Sequence, residues 1–229
     1  MRRSPFGRAG RVSMWDEMVR RYGWLHGDER VRGGELFESY TVSVIRGRTE
    51  DEVISGFGGD PAVEPQMLTL AEAIEEESAH GGYADDYALL RVVSSGEYVV
   101  ATEVGYRGSI PEIARRLSAD GGEFFSAYAN VNARHQVMHA QDGRVDGRFD
   151  PFDVADLEDR GEDDPPEELP AWAQDVAFHM YELDAEAFAL MERTMGLPIR
   201  AEWFSSRLRT VPLAAEETLF DDAEAAWEV

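Results

Sequence analysis

The stretch EFFSAYANVNARHQVMHAQDGRVDGRF, residues 123–149, decides the fold. Glu123–Val131 and Arg134–Ala140 read as strands. Asp142-Gly143 then marks a tight hairpin turn, because both residue types tolerate the positive φ such a turn demands, and Val145–Phe149 follows it as a third strand. Neighbouring strands joined by connections this short pair antiparallel, since a parallel crossover needs a dozen residues or more. Working outward, Tyr87–Val93 and Tyr98–Val104 flank Ser94-Ser95-Gly96-Glu97 and predict a second hairpin. Phe37–Ile45 alternates, with Tyr40, Val42 and Val44 set against Thr41 and Ser43, and reads as a further strand.

Helices are marked by their ends. Thr49 with Glu52, Thr69 with Glu72 and Ser109 with Glu112 each have capping-box spacing, in which a hydroxyl and a carboxylate satisfy the free N–H groups of the first turn. The helices they open run through Phe57, Ala79 and Leu117, and each is followed by a Gly-Gly pair. Trp15, Met18, Val19 and Tyr22 recur at helical spacing over Met14–Leu25. Trp172–Met180 and Phe188–Met195 predict two more helices, the second capped by Gly196, and Trp203-Phe204 a short helical turn. The expected fold is α+β: an antiparallel sheet with two or three packed helices, followed by a helical C-terminal segment. The expected divisions are a basic arm (1–13), the α+β domain (14–150), an acidic, proline-bearing linker or loop (151–170), the helical segment packed on the same domain (171–215) and an acidic tail (216–229).

Composition narrows the chemistry. The 229 residues hold 46 acidic side chains against 22 basic ones, all arginine, for a net charge of -24, and contain neither lysine nor cysteine. Lost with them are thiol nucleophiles, thiolate metal sites, Schiff-base chemistry and the lysine of a phosphate-binding loop. The charge is uneven: residues 49–86 sum to -11 and 149–188 to -13, whereas 87–148 are neutral. Salt adaptation would spread acid over the whole surface, so localised blocks suggest connections or a presented face. No apolar run approaches the roughly 20 residues of a membrane span, and the start lacks a secretory pattern, so the expected compartment is the cytoplasm.

Within Val104–Pro151, the runs Gly105-Tyr106-Arg107-Gly108-Ser109, Tyr128-Ala129-Asn130-Val131-Asn132, Asp142-Gly143-Arg144 and Phe149-Asp150-Pro151 resemble an actinobacterial family known only as a domain of unknown function. Ile45-Arg46-Gly47, Glu202-Trp203 and Arg209-Thr210-Val211-Pro212-Leu213 look like its edges, so the resemblance spans about Tyr40 to Leu213. It implies no catalytic residue or cofactor. It does favour codon bias as the origin of the missing lysine.

Candidate chemistry is sparse. His135 and His139 on one strand lie about 13 Å apart, four steps of roughly 3.3 Å, too far to share an ion. Asp142, Asp146 and Asp150 lack the spacing of a calcium loop. No nucleophile elbow, zincin or kinase signature is present, so no catalytic, metal or cofactor residue is assigned and a non-enzymatic role ranks first. Arg107, Gly108 and Ser109, at an expected helix start, form the anion-binding candidate. Glu75, Glu76 and Glu77, with Asp159, Glu162, Asp163 and Asp164, form the candidate face for a basic protein partner, such as a toxin met by an immunity-type inhibitor or the partner of a nucleic-acid mimic. Direct nucleic-acid binding is disfavoured because phosphate neutralisation needs clustered cations. The function classes therefore rank as interaction protein, then small-ligand or anion sensor, then an enzyme with dispersed carboxylates.

Overall fold

The computed structural model describes residues 13–27, 39–80, 87–155, 169–220, 222 and 224–228. Eight strands form one open sheet: β1 Ser39–Arg46, β2 Gln66–Leu68, β3 Ala88–Ser95, β4 Tyr98–Glu103, β5 Glu123–Asn130, β6 His135–Gln141, β7 Arg144–Phe149 and β8 Leu208–Leu213. Their order is β2-β8-β3-β4-β1-β5-β6-β7, and every neighbouring pair is antiparallel. The α+β class and the antiparallel sheet are thus as expected.

Strand alternation builds two cores. Val42, Val44, Val100, Phe125 and Val137 point to one face, where they meet α1 (Met14–Arg21), α2 (Trp24–Gly27), α4 (Leu70–Ala79), α6 (Pro151–Val154), α7 (Leu183–Met195) and α8 (Glu202–Ser205). Ile45, Leu90, Val92, Val99, Phe124 and Met138 point to the other, under α3 (Glu50–Gly56) and α5 (Pro111–Ser118). Helices therefore cover both faces of the antiparallel sheet. Leu219, Phe220 and Ala226 of the tail pack onto the second core.

Local signals explain most elements. Thr49 and Thr69 cap α3 and α4 in full capping boxes with Glu52 and Glu72. Ser13 and Asp16 do the same for α1, a box the sequence reading missed. Gly196 ends α7 in the left-handed region at φ 75°. At the β6–β7 turn Asp142 and Gly143 have φ of 51° and 75°, the two positive values that a tight hairpin needs.

Three expectations are corrected. Ser109 does not cap α5: Ile110 stands at the cap, Pro111 occupies the first helical position, and the Ser109 hydroxyl donates to the Tyr106 carbonyl at 2.6 Å. Trp172–Met180 is not a helix beyond a single 3-10 turn at Ala171–Ala173, and Asp175 has a φ of 63°. The C-terminal segment is not wholly helical either, because β8 inserts between β2 and β3. Pro212 is tolerated there because it falls between the last β2 pair, at Thr210, and the isolated Gly59–Leu213 bridge, where a missing donor breaks no ladder.

A buried arginine joins the first core to the sheet. Arg91 on β3 is 1 % exposed, and its guanidinium donates to Thr102 Oγ1 at 3.0 Å and to the carbonyls of Trp203, Ser206 and Leu68 at 2.9, 3.0 and 3.3 Å. Tyr22 fastens α1 to α7 by donating to Glu192 Oε2 at 2.6 Å.

Candidate functional site

The Arg107-Gly108-Ser109 segment forms a 3-10 turn between β4 and α5, and its polar groups already have partners inside the fold. The Arg107 guanidinium donates to the carbonyls of Ala214 at 2.6 Å and Phe57 at 3.4 Å. The Gly108 N–H donates to Glu103 Oε1 at 2.6 Å. A Cβ on Gly108 would stand 2.5 Å from Ser43 Oγ and 2.8 Å from Thr41 Cγ2, so glycine here serves the close approach of the turn to β1. Burial pushes the Glu103 carboxyl up to about 7, against the opposing pull of the Gly108 N–H and the Arg107 charge.

Of the acidic candidates, Glu75 is exposed and Glu76 partly so, whereas Glu77 turns inward and accepts from Leu89 N at 2.7 Å. Its pKa also rises to about 7, chiefly by burial. Glu50, Asp51 and Glu52 belong to α3 on the second face, while Glu75 and Glu76 belong to α4 on the first, so the 49–80 part of the acidic block is divided between faces. Asp159, Glu162, Asp163 and Asp164 lie outside the described residues.

A cleft of about 790 Å³ opens where the end of β5, the start of β6 and the end of β7 meet the Arg107–Ser109 turn and the tail. Asn130 shapes the β5–β6 loop: its Oδ1 accepts from Asn132 N at 3.0 Å and Arg134 N at 3.1 Å, and its Nδ2 donates to Tyr128 Oη at 2.7 Å. Asp150 ties β7 to β6, with one oxygen accepting from Phe152 N at 2.8 Å and the other from His135 N at 3.2 Å. Gln136 reaches across to the turn, donating to the Ser109 carbonyl at 2.9 Å. These contacts hold the walls without drawing on the guanidinium groups of the two arginines that face the cleft, Arg134 and Arg148.

His135 is braced from behind. Its Nε2 is 3.6 Å from Asp184 Oδ1, which also accepts from the buried Tyr40 hydroxyl at 2.7 Å. Burial works against charge on this ring, yet the hydrogen bond and attraction of Asp184, with Asp150 beyond it, outweigh burial and raise its pKa. Burial lifts the Asp150 carboxyl above its ordinary value, and burial together with Glu216 pushes the Tyr106 hydroxyl up to about 12.

Arg148 is the unusual group. It is half-buried, and burial pulls its pKa down. Among the described residues it makes no ion pair and donates no side-chain hydrogen bond; its one charged contact is with the Trp227 ring, 5.9 Å from guanidinium carbon to centroid. By contrast, the deeply buried Arg91 and Arg107 have acceptors. Trp227 is held at the rim by the tail, whose Glu228 and Ala225 carbonyls accept from Arg115 at 2.7 and 3.4 Å.

His139 belongs to a separate network, its ring 2.7 Å from Asp146 Oδ1 and 3.0 Å from Glu123 Oε1, with Arg46 pairing Glu123 at 2.6 Å. His135 and His139 thus serve different carboxylates, and Asp142, Asp146 and Asp150 serve a turn, a contact with the His139 ring and a cap. Among the described residues, the groups that could together ligate a metal are His179, Glu182 and Glu186, whose ligand atoms lie within 4.8 Å of one another. Glu186 already accepts from His179 N at 2.7 Å and contacts its ring at 2.6 Å. The sequence reading gave His179 no role, and the His-x-x-Glu-x-x-x-Glu spacing was the available signal.

No helix among the described residues is long and apolar enough to cross a membrane. No curated protein and no solved structure matches the chain. Residues 17–218 match a family described as a family of unknown function, DUF6461, a span that holds the sheet, every helix except the first turn of α1, and every cleft residue except Trp227. The chain belongs to the DUF6461 family.

Proposed function

We propose that this chain is a cytoplasmic small-ligand-binding protein that takes an anionic group in the cleft at Arg148. The carrying observation is the half-buried Arg148 guanidinium with no acceptor among the described residues, in a chain of net charge -24. Partial withdrawal of a cation from water carries a cost that a partner offsets, and although Asp150 and Asp153 also line the cleft, neither pairs with Arg148; a site that leaves this cation unpaired among the described residues is suited to an anion from outside. Arg134 at the exposed rim adds a second positive charge, and His135, with its raised pKa, a third that grows as pH falls. The anion-sensing role expected at Arg107 is thereby moved to Arg148, since Arg107 donates to the Phe57 and Ala214 carbonyls.

Recognition of a basic partner by an acidic face ranks second, because the acidic side chains of α3 and α4 border opposite faces. Thermal unfolding of the full chain at low salt against a panel of small carboxylates and phosphates tests the first reading. Members of the panel should raise Tm in the native chain and leave Arg148→Ala unmoved. A panel without effect, or equal shifts in both proteins, would refute it.

A further inference from the structure

We propose that the ligand of this cleft carries a planar aromatic ring beside its anionic group, as an aryl phosphate does; this rests on the anion site at Arg148. Two rings stand at the cleft mouth. Tyr106 and Trp227 have centroids 6.0 Å apart and planes inclined by 34°, so they open as a wedge. They are 38 % and 37 % exposed, two of the eight exposed large apolar side chains among the described residues. The Arg148 guanidinium lies against the indole, so an anion held by Arg148 would bring any attached ring to the wedge. The two rings now pair with each other, and a ring sandwiched between them needs two contact gaps of roughly 3.5 Å each, so the centroids must part by about 1 Å to admit it.

The indole is positioned for this. Ala226, next to it, is 3 % exposed in the second core. Arg115 holds the carbonyls on either side, those of Ala225 and Glu228. Trp227 is therefore fixed through its backbone while its ring stays partly open. A simple anion would satisfy Arg148 and leave the exposed part of both rings uncovered; an aromatic anion covers it as well. Ring-on-ring contact is sequence- and substituent-tolerant and strengthens binding roughly tenfold.

Calorimetric titration of the full chain with inorganic phosphate and with phenyl phosphate tests the inference. Phenyl phosphate should bind about tenfold more tightly. Trp227→Ala should bring it down to the affinity of phosphate, Trp227→Phe should retain part of the preference, and Arg148→Ala should remove both ligands. Tyr106→Leu provides an independent loss of preference if the tail variants unfold. Equal affinity of the two ligands in the native chain would overturn the ring inference and leave the anion site standing. Tighter phenyl phosphate binding in Trp227→Ala would also overturn it, by making the indole a cover. Failure of both ligands to bind would remove the anion site and the ring inference together.

Discussion

The Gly108 N–H donates to the Glu103 carboxylate at 2.6 Å, closing the turn that connects β4 to α5 against the middle of the sheet. Three facts meet at that bond. Glycine at 108 is required by Thr41 and Ser43 beneath it, Glu103 is buried beside the Arg107 charge, and the turn forms one wall of the cleft.

Gly108→Ala is therefore expected to destabilise the chain by about 1–3 kcal/mol, the usual range for overpacking. Ser43→Ala in the same chain should recover part of the loss by removing the nearest atom, at 2.5 Å. Denaturant unfolding of both variants measures it; a loss under about 0.5 kcal/mol would mean that the turn yields freely.

Stability should fall as pH rises toward and through 7. Glu77 and Glu103 titrate near 7 in the folded chain and near 4.5 when their burial is lost, so between these values the folded state binds more protons. Their contribution is best at low pH and worsens until both are ionised. Glu103→Gln should flatten this slope and gain relative to the native chain at pH 8, as read from Tm. The capping carboxylates Asp16, Glu52 and Glu72 act oppositely: their pKa values are lowered, so their support is present above the ordinary carboxylate range and is lost only in acid. A native chain whose stability rises between pH 5 and 8 would contradict the assignment.

Thr49→Ala and Thr69→Ala should each cost about 1 kcal/mol, the ordinary worth of an N-cap. The two caps serve helices on opposite faces of the sheet, so the double variant should lose their sum within about 0.5 kcal/mol. Chemical denaturation of the three proteins provides the comparison.

Arg91→Ala is expected to cost at least about 3 kcal/mol, because it leaves the carbonyls of Trp203 and Ser206 without their donor inside the core. Arg91→Lys should not rescue it, since one ammonium cannot span four acceptors arranged around a planar fork. Rescue to near-native stability would show that charge alone suffices.

Much of this fold was legible in sequence where the signal is local. The Asp142-Gly143 turn, the two threonine boxes and Gly196 all act over a few residues. Ser109 misled because Pro111 competes with it: a proline at the first helical position moves the cap to Ile110, and that proline was itself readable. Trp172–Met180 misled differently. Trp172 and Phe178 face the sheet singly, Trp172 against Phe125 and Phe149 and Phe178 against Phe149, while Met180 is exposed, so the spacing reflects tertiary contacts rather than a helical face. The cleft was not legible at all. Arg148 sits in a block whose charges sum to zero, and only strand pairing and the tail decide that it pairs with no carboxylate among the described residues while its guanidinium lies against Trp227.

The most direct test is a crystal structure of the full chain grown with saturating phenyl phosphate. Phosphate density within hydrogen-bonding reach of the Arg148 guanidinium, with the phenyl ring between Tyr106 and Trp227, is the expected result. A cleft without ligand, or ligand bound only elsewhere on the surface, would contradict the account.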